Sequence, residues 1–279
     1  MSLRATAVIL TGTELRHDYF RIVLSLSSKL QVLASFREQK QSLLEWVSTP
    51  TSPNSAIRRH AEERQRSEED FFGSFVKLTT DHSLPLPIKK GALNHDLRLQ
   101  ERIRHLNPDV LICYGTSIIR EPLLSDFAGR FLNIHLGLSP YYRGSGTNFW
   151  PLANSEPEFI GVTFMQIDAG VDTGDIVHQF RAQMFPEDSI HSIGNRLISK
   201  VALTAPSVAS HLQSLRRVKQ IEIDLCGIEA RVYRRRDFTD TALNQARTNL
   251  INGVVADYLD TKETRDARAP IIQAEIDLS

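Results

Sequence analysis

Short apolar runs that alternate with helix-like stretches constrain this chain more than any other feature. Val8-Ile9-Leu10 runs into the turn Thr11-Gly12-Thr13, and Asp18 to Leu30 then carries apolar residues at helical spacing. A second strand is expected over Gln31 to Phe36. A charged, solvated helix with one apolar edge is expected over Ala56 to Asp70, ending in Phe71-Phe72. Asn94 to Leu106 has helical periodicity and is stopped by Asn107-Pro108, after which Val110 to Tyr114 reads as a strand ending at Gly115. A short helix over Glu121 to Gly129 leads into the strand Phe131 to Leu136, while Pro50, Pro53, Pro85 and Pro87 mark connections. This βαβ alternation predicts an α/β fold, a doubly wound and mostly parallel sheet with helices on both faces. Ligands collect at the carboxyl ends of the strands in such folds.

Two more strands fit Ile160 to Ile167 and Asp175 to Phe180, followed by a long helix over Ile190 to Leu215 that Pro206 should interrupt. A boundary near Leu215 divides the chain into a catalytic domain, 1–215, and a small C-terminal α+β appendage, 216–279. In the appendage, Val218 to Leu225 and Arg231 to Arg234 could pair as a hairpin, with a helix from Thr241 to Leu259 beyond. On that helix, Leu250, Val254 and Leu259 would either pack on the catalytic domain or form the contact of a homodimer. Lys+Arg and Asp+Glu both number 33, so no global field is present to hold a polyanion. The two cysteines, Cys113 and Cys226, form no CxxC, which argues against a disulfide framework and a zinc site and makes a reducing cytoplasm the simplest compartment. The apolar stretch Ala5 to Leu10 is short for a signal-peptide core and reads as the first strand, and no apolar run approaches the length that spans a bilayer. No HExxH or comparable metal spacing links the histidines, so no metal is expected, and His60 and His191 read as surface or packing residues.

Chemistry concentrates where the strand Phe131-Leu132-Asn133-Ile134-His135-Leu136 ends. Alternation puts Asn133 and His135 on one face and Leu132, Ile134 and Leu136 on the other. Farther on lies the loop Asp168-Ala169-Gly170-Val171-Asp172-Thr173-Gly174-Asp175. An amide donor, an imidazole and a carboxylate are the groups that acyl transfer to an amine requires. Asn133 can donate to the oxyanion. His135 can donate to it when protonated or take the amine proton when neutral, and Asp172 can orient His135 or hold a relay water. No GxSxG elbow is present, and this reaction needs no covalent nucleophile. Taken alone, Asn-x-His and Asp-Thr-Gly would read as a strand cap and an ordinary turn.

Two longer segments change that weighting. Asn133-Ile134-His135-Leu136-Gly137-Leu138-Ser139-Pro140-Tyr141-Tyr142-Arg143-Gly144 resembles the catalytic segment of the 10-formyltetrahydrofolate-dependent formyltransferases. Gly161 to Asp175 resembles their second signature, particularly as found in methionyl-tRNA formyltransferases. The resemblance implies a Rossmann-like catalytic domain with Asn133, His135 and Asp172 as the catalytic trio and 10-formyltetrahydrofolate as formyl donor. It also implies that the pterin sits between Tyr114, Gly115, Ile118 and Ile119 and the loop Gln166, Ile167, Asp168, Ala169, Gly170 and Val171, with a structural role for Asp168 as the alternative.

The amine substrate would lie on the N-terminal side. There Gly12 and Thr13 offer backbone N–H groups near a helix start, and Arg16 and His17 offer charge, for a phosphate. Tyr141, Tyr142 and Arg143 leave the catalytic strand on a loop suited to gripping a sugar or base. The larger tRNA-holding β-barrel of methionyl-tRNA formyltransferases has no counterpart in the stretch after Leu215, and the run Arg234-Arg235-Arg236 reads as a solvated edge, so the resemblance argues against a nucleic-acid partner. The segment Tyr233 to Phe238 and the Gly137 to Gly144 loop look most like bacterial sugar N-formyltransferases, including those of pseudaminic acid-type surface sugars. The expected substrate is therefore a nucleotide-linked amino sugar. The alternatives are a methionyl-tRNA formyltransferase-like enzyme and a silent folate- or nucleotide-sugar-binding module.

Overall fold

Val110 to Tyr114 is buried at every position, as a strand covered by helices on both faces must be. The computed structural model describes residues 4–39, 45 and 55–276. Its main sheet is built from β1 (Ala5–Thr11), β2 (Leu30–Glu38), β3 (Leu86–Ile88), β4 (Val110–Tyr114), β5 (Phe131–His135), β7 (Gly161–Met165) and β8 (Ile176–Arg181). They lie in the order β3-β2-β1-β4-β5-β7-β8, while β6 (Tyr142–Gly144) and β9 (Arg231–Tyr233) form a separate two-stranded sheet. The pairs from β3 across to β5 are parallel, and β5–β7 and β7–β8 are antiparallel. Chain order reverses between β1 and β4, which opens the switch-point crevice at the carboxyl ends of those strands.

Period-two alternation sorts the core into two layers. Val8, Leu10, Leu111, Cys113 and Phe131 pack against Leu99, Ile103 and Leu123 on one face. Ala7, Ile9, Ile112, Leu132 and Ile134 pack against Phe20, Leu24, Val201 and Ala205 on the other. The helices that contribute to these two layers are α1 (Leu15–Leu26), α2 (Ala56–Leu78), α3 (Ala92–His95), α4 (Leu97–Leu106), α5 (Leu123–Asp126), α6 (Trp150–Ala153) and α7 (Ile190–Ser210). Each fully buried aliphatic or aromatic side chain contributes about 1.5–3 kcal/mol, so these layers outweigh local preferences of about 1 kcal/mol per residue.

Several boundaries differ from those expected, each for a local reason. The stretch from Asn94 splits at Asp96, whose carboxylate caps α4 by accepting from the N–H groups of Arg98 and Leu99 at 3.0 and 3.1 Å. Asn107 ends α4 with φ +40°, a left-handed cap. Helix α7 runs through Pro206 without interruption, because its apolar face, from Ile193 to Ala209, is buried along its length. That burial exceeds the cost of about 3 kcal/mol for an interior proline. Pro87 lies inside β3, at the sheet edge, where a missing N–H is tolerated. Pro50 and Pro53 lie outside the described residues.

Beyond residue 215 the anticipated hairpin does not form. Val218 instead bridges Ile176 in antiparallel fashion, and β9 pairs in parallel with β6. The helical stretch divides at Gly253 (φ +85°) into α8 (Asp240–Ile251) and α9 (Val254–Asp260), followed by α10 (Lys262–Arg268). Leu243, Ala246, Val254, Val255 and Tyr258 join the larger core layer, and Leu250 and Leu259 pack against it. The apolar face offered for association is thus occupied by the chain's own core. Among the described residues, no helix is long and apolar enough to cross a membrane, and no cluster of three or more His, Cys, Asp or Glu could hold a metal ion.

Candidate active site

Strand β5 brings Asn133 and His135 to the crevice through their shared face. Asn133 is half-buried, and its amide makes no side-chain hydrogen bond among the described residues, so its donors face open space. His135 is buried, with 7% of its surface exposed. Its Nε2 lies 3.2 Å from the Tyr142 carbonyl, which can only accept, so Nε2 carries a proton. Its Nδ1 stands 3.4 Å from Asp172 Oδ1, a looser contact than a made hydrogen bond.

Asp172 comes from the loop between β7 and β8, whose shape is fixed from within. Gln166 N–H donates to the Asp175 carbonyl at 2.9 Å, closing the loop base. Asp168 Oδ1 accepts from Gly170 N–H and from Thr173 Oγ1 at 3.0 and 2.7 Å. Gln220 Nε2 donates to the carbonyls of Asp172 and Gly174, both at 2.9 Å. These ties hold Asp172 at φ +53°, a left-handed backbone that aspartate tolerates better than most residues. Its Oδ2 accepts from Gly144 N–H at 3.0 Å. Asn133, His135 and Asp172 are thereby brought together from positions far apart in sequence.

Two cavities meet at this cluster, and Asn133 and Asp172 line both. The smaller, about 120 Å³, is walled by Ile118, Ile119, Met165, Ile167 and Val171 and edged by the loop from Gln166 to Gly174. The Gln166 side-chain nitrogen there is buried without a partner. Ile118, Ile119, Gln166, Ile167, Asp168, Gly170 and Val171 all line this cavity, whereas Ala169 is exposed on the loop and does not. Tyr114 and Gly115 turn to the opposite, larger cavity. There burial pushes the Tyr114 hydroxyl up to about 12.

The larger cavity, about 670 Å³, runs from His135 past α1 and α2 to α7. Arg16 and His17 line it, but neither is a simple exposed cation. Arg16 pairs with Glu68 at 2.7 Å and with Glu14, and Arg64 pairs with the same two carboxylates at 3.0 and 3.1 Å. Burial pushes Glu68 upward, yet Arg16 and Arg64 outweigh it and hold the carboxyl below its ordinary value. His17 Nδ1 accepts from Glu14 N–H at 3.1 Å, and its ring meets Tyr114 edge-on. Gly12 and Thr13 do not line the cavity. The Gly12 N–H is already donated to the Tyr114 carbonyl, which removes it as a phosphate ligand.

Tyr141 and Tyr142 correct the sequence reading most clearly. Both are about 1% exposed, packed against Phe159, and neither lines either of the two cavities. Tyr141 donates to the Pro270 carbonyl at 2.8 Å, and Tyr142 is bound by Arg231, Glu156 and Asn154. Arg143 faces a third groove, beside Pro140, Lys219 and Gln220, away from the larger cavity. Residues that the sequence did not flag replace them. His60 and His191, with ring centroids 4.6 Å apart, line the far end of the larger cavity with Phe238 and Arg235. His60 Nδ1 and His191 Nε2 are buried without a hydrogen-bond partner. Burial, aided by nearby positive charge, pushes His60 down to about 2 and His191 down to about 4. No local pattern links two histidines on separate helices, so only the fold could have paired them.

Residues 33–206 match the family model described as formyl transferase. The chain belongs to the formyl transferase family. A methionyl-tRNA formyltransferase of Geobacter metallireducens is 34% identical over 158 residues, 51% of this chain and 50% of that relative. The chain thus spans about half the length of the curated relatives it matches. Among solved structures, a sugar N-formyltransferase from a Shewanella species has a TM-score of 0.56 at 13% identity, covering 87% of either chain. A phosphoribosylglycinamide formyltransferase from Anaplasma phagocytophilum has a TM-score of 0.53 at 14% identity, covering 84% of this chain and 100% of that one. These two share the α/β formyltransferase fold.

Proposed function

We propose that the protein transfers a formyl group from 10-formyltetrahydrofolate to the primary amine of a nucleotide-linked amino sugar. The observation that carries this reading is the position of Asn133 and Asp172 in the common wall of two cavities, where a donor entering from one side meets an amine entering from the other. The smaller cavity suits a pterin. Aliphatic walls match its faces, and the unpartnered Gln166 amide, with the loop backbone, matches its hydrogen-bonding edge. The donor supplies an activated formyl carbon.

Negative charge collects on the formyl oxygen as the amine attacks, and the Asn133 amide donates to it. His135 Nε2 is fixed by the Tyr142 carbonyl, which leaves Nδ1 as the working nitrogen between Asp172 and the reacting centre. Asp172 accepts the proton that the amine sheds as its bond to carbon forms. Asp172 then passes that proton to the leaving nitrogen as its bond to the formyl carbon breaks, so the proposed reaction balances without an added base.

The larger cavity supports the proposed acceptor class. Its volume of about 670 Å³ is that of a small-molecule site. Two uncharged imidazoles with unpartnered nitrogens, together with Ser145, Thr147 and Asn195, suit a hydroxyl-rich sugar. A methionyl-tRNA acceptor has separate support in the 34% identity to the Geobacter relative. The deciding experiment incubates the protein with 10-formyltetrahydrofolate and a panel of nucleotide-linked amino sugars, with charged initiator tRNA in parallel, and reads the formyl mass gain. Gain on a sugar supports the proposal, gain on tRNA alone replaces the acceptor, and folate binding without any gain favours a silent binding module.

A further inference from the structure

The three residues of β6 use their two backbone edges differently. Toward the reacting centre, the Tyr142 carbonyl accepts from His135 Nε2 at 3.2 Å and Gly144 N–H donates to Asp172 Oδ2 at 3.0 Å. Toward β9, the flanking Tyr141 carbonyl accepts from Arg231 N–H and Ser145 N–H donates to the Tyr233 carbonyl, both at 2.8 Å. Alternate residues of a strand in a parallel pair point their polar groups to opposite sides, which is how so short a strand serves both partners. The close approach needs glycine. Gly144 has φ +93°, and a Cβ there would stand 2.1 Å from the Tyr233 carbonyl oxygen.

Side chains of β9 secure the contact. Arg231 donates to the Tyr142 hydroxyl at 2.7 Å, pairs with Glu156, and lies 5.5 Å above the Tyr142 ring. Tyr233 stacks on Trp150 with centroids 4.0 Å apart, and its hydroxyl accepts from Asn154 at 2.9 Å. Val232, between them, is exposed.

We infer that β9 positions the His135–Asp172 pair through β6, with Arg231 and Tyr233 as positioning residues that never touch substrate. This rests on the reading of His135 and Asp172 as the reacting pair. Releasing β9 frees β6 to shift, and a displacement of reacting groups by about 1 Å costs on the order of 100-fold in rate.

The test uses the full chain with Arg231→Ala, Tyr233→Ala, Arg231→Lys and Val232→Ala. Long-range proton–nitrogen spectra follow the exchange-protected Nε2–H signal of His135, assigned by its disappearance in His135→Gln. The alanine variants at 231 and 233 should lose that signal, Arg231→Lys should retain part of it, and Val232→Ala should keep it. With an acceptor in hand, the two alanine variants should lower kcat by between about 10- and 100-fold at unchanged KM. Folded Arg231→Ala and Tyr233→Ala proteins with the signal intact overturn the inference. If both variants unfold it is also overturned, because β9 then secures the fold rather than the pair. Should no acceptor be formylated, the spectra still decide, since they report the ring and not turnover.

Discussion

Replacing Asn133 by alanine separates catalysis from stability. The Asn133 amide has no side-chain partner among the described residues, and its strand is held by backbone pairing with Cys113 and Met165, which alanine preserves. Truncation therefore breaks no internal hydrogen bond and leaves no buried group unsatisfied. The stability change should stay within about 0.5 kcal/mol, or about 2 °C in Tm for a chain of this size. Catalysis should respond differently. Loss of one oxyanion donor costs about 2.7–4 kcal/mol of barrier, which at about 1.4 kcal/mol per decade is a fall of about 100- to 1,000-fold in kcat. Single-turnover formyl transfer under saturating donor, with thermal unfolding in parallel, measures both numbers. An Asn133→Ala protein that melts normally and turns over at full rate would refute the oxyanion assignment. One that loses rate and stability together would show instead that the side chain supports the fold.

Three further outcomes follow from the geometry. Asp172→Asn keeps the left-handed backbone and the shape of the side chain but removes the base, so kcat should fall by about 100- to 10,000-fold while tetrahydrofolate still binds in calorimetry. Gly174→Ala places a Cβ 2.0 Å from the Gln166 carbonyl oxygen and must open the loop, so calorimetry should show weakened tetrahydrofolate binding in a protein whose circular dichroism is unchanged. The histidine pair predicts an acid sensitivity. Imidazoles held at about 2 and about 4 in the fold take protons near 6.5 when unfolded, so their contribution is complete above pH 6.5 and is lost as pH falls below it. Denaturant unfolding of His60→Gln should show a pH slope shallower by about 1.4 kcal/mol per unit between pH 6.5 and 4, and an unchanged slope would place His60 in water.

What could be read from the sequence was local. β1 and β4 declared themselves because strands buried on both faces must be apolar along their buried length, and Val8-Ile9-Leu10 or Val110-Leu111-Ile112 has no other stable home. The loop carrying Asp172 was legible for a similar reason, since Asp168, Gly170 and Thr173 bond to one another within a few residues. Tyr141 and Tyr142 misled because their chemistry suits ligand binding as well as it suits a core. Their fate is set by Pro270, Glu156 and Arg231, partners well outside any local window. His60 and His191 were invisible for the same physical reason, as were the β6–β9 pair and the passage of α7 through Pro206. Turn chemistry and periodicity report what a residue prefers, whereas tertiary packing decides what it touches.

The common wall formed by Asn133 and Asp172 has a kinetic meaning. In the proposed reaction, a group that can be reached from two sides needs no step that carries the formyl unit between them, so donor and acceptor would be resident at the same moment. Initial-rate plots against one reactant at fixed levels of the other should intersect rather than run parallel. In that reaction, water that enters the larger cavity ahead of the amine would be the competing acceptor, and the fit of the proposed substrate there would set how much of the donor is lost as formate.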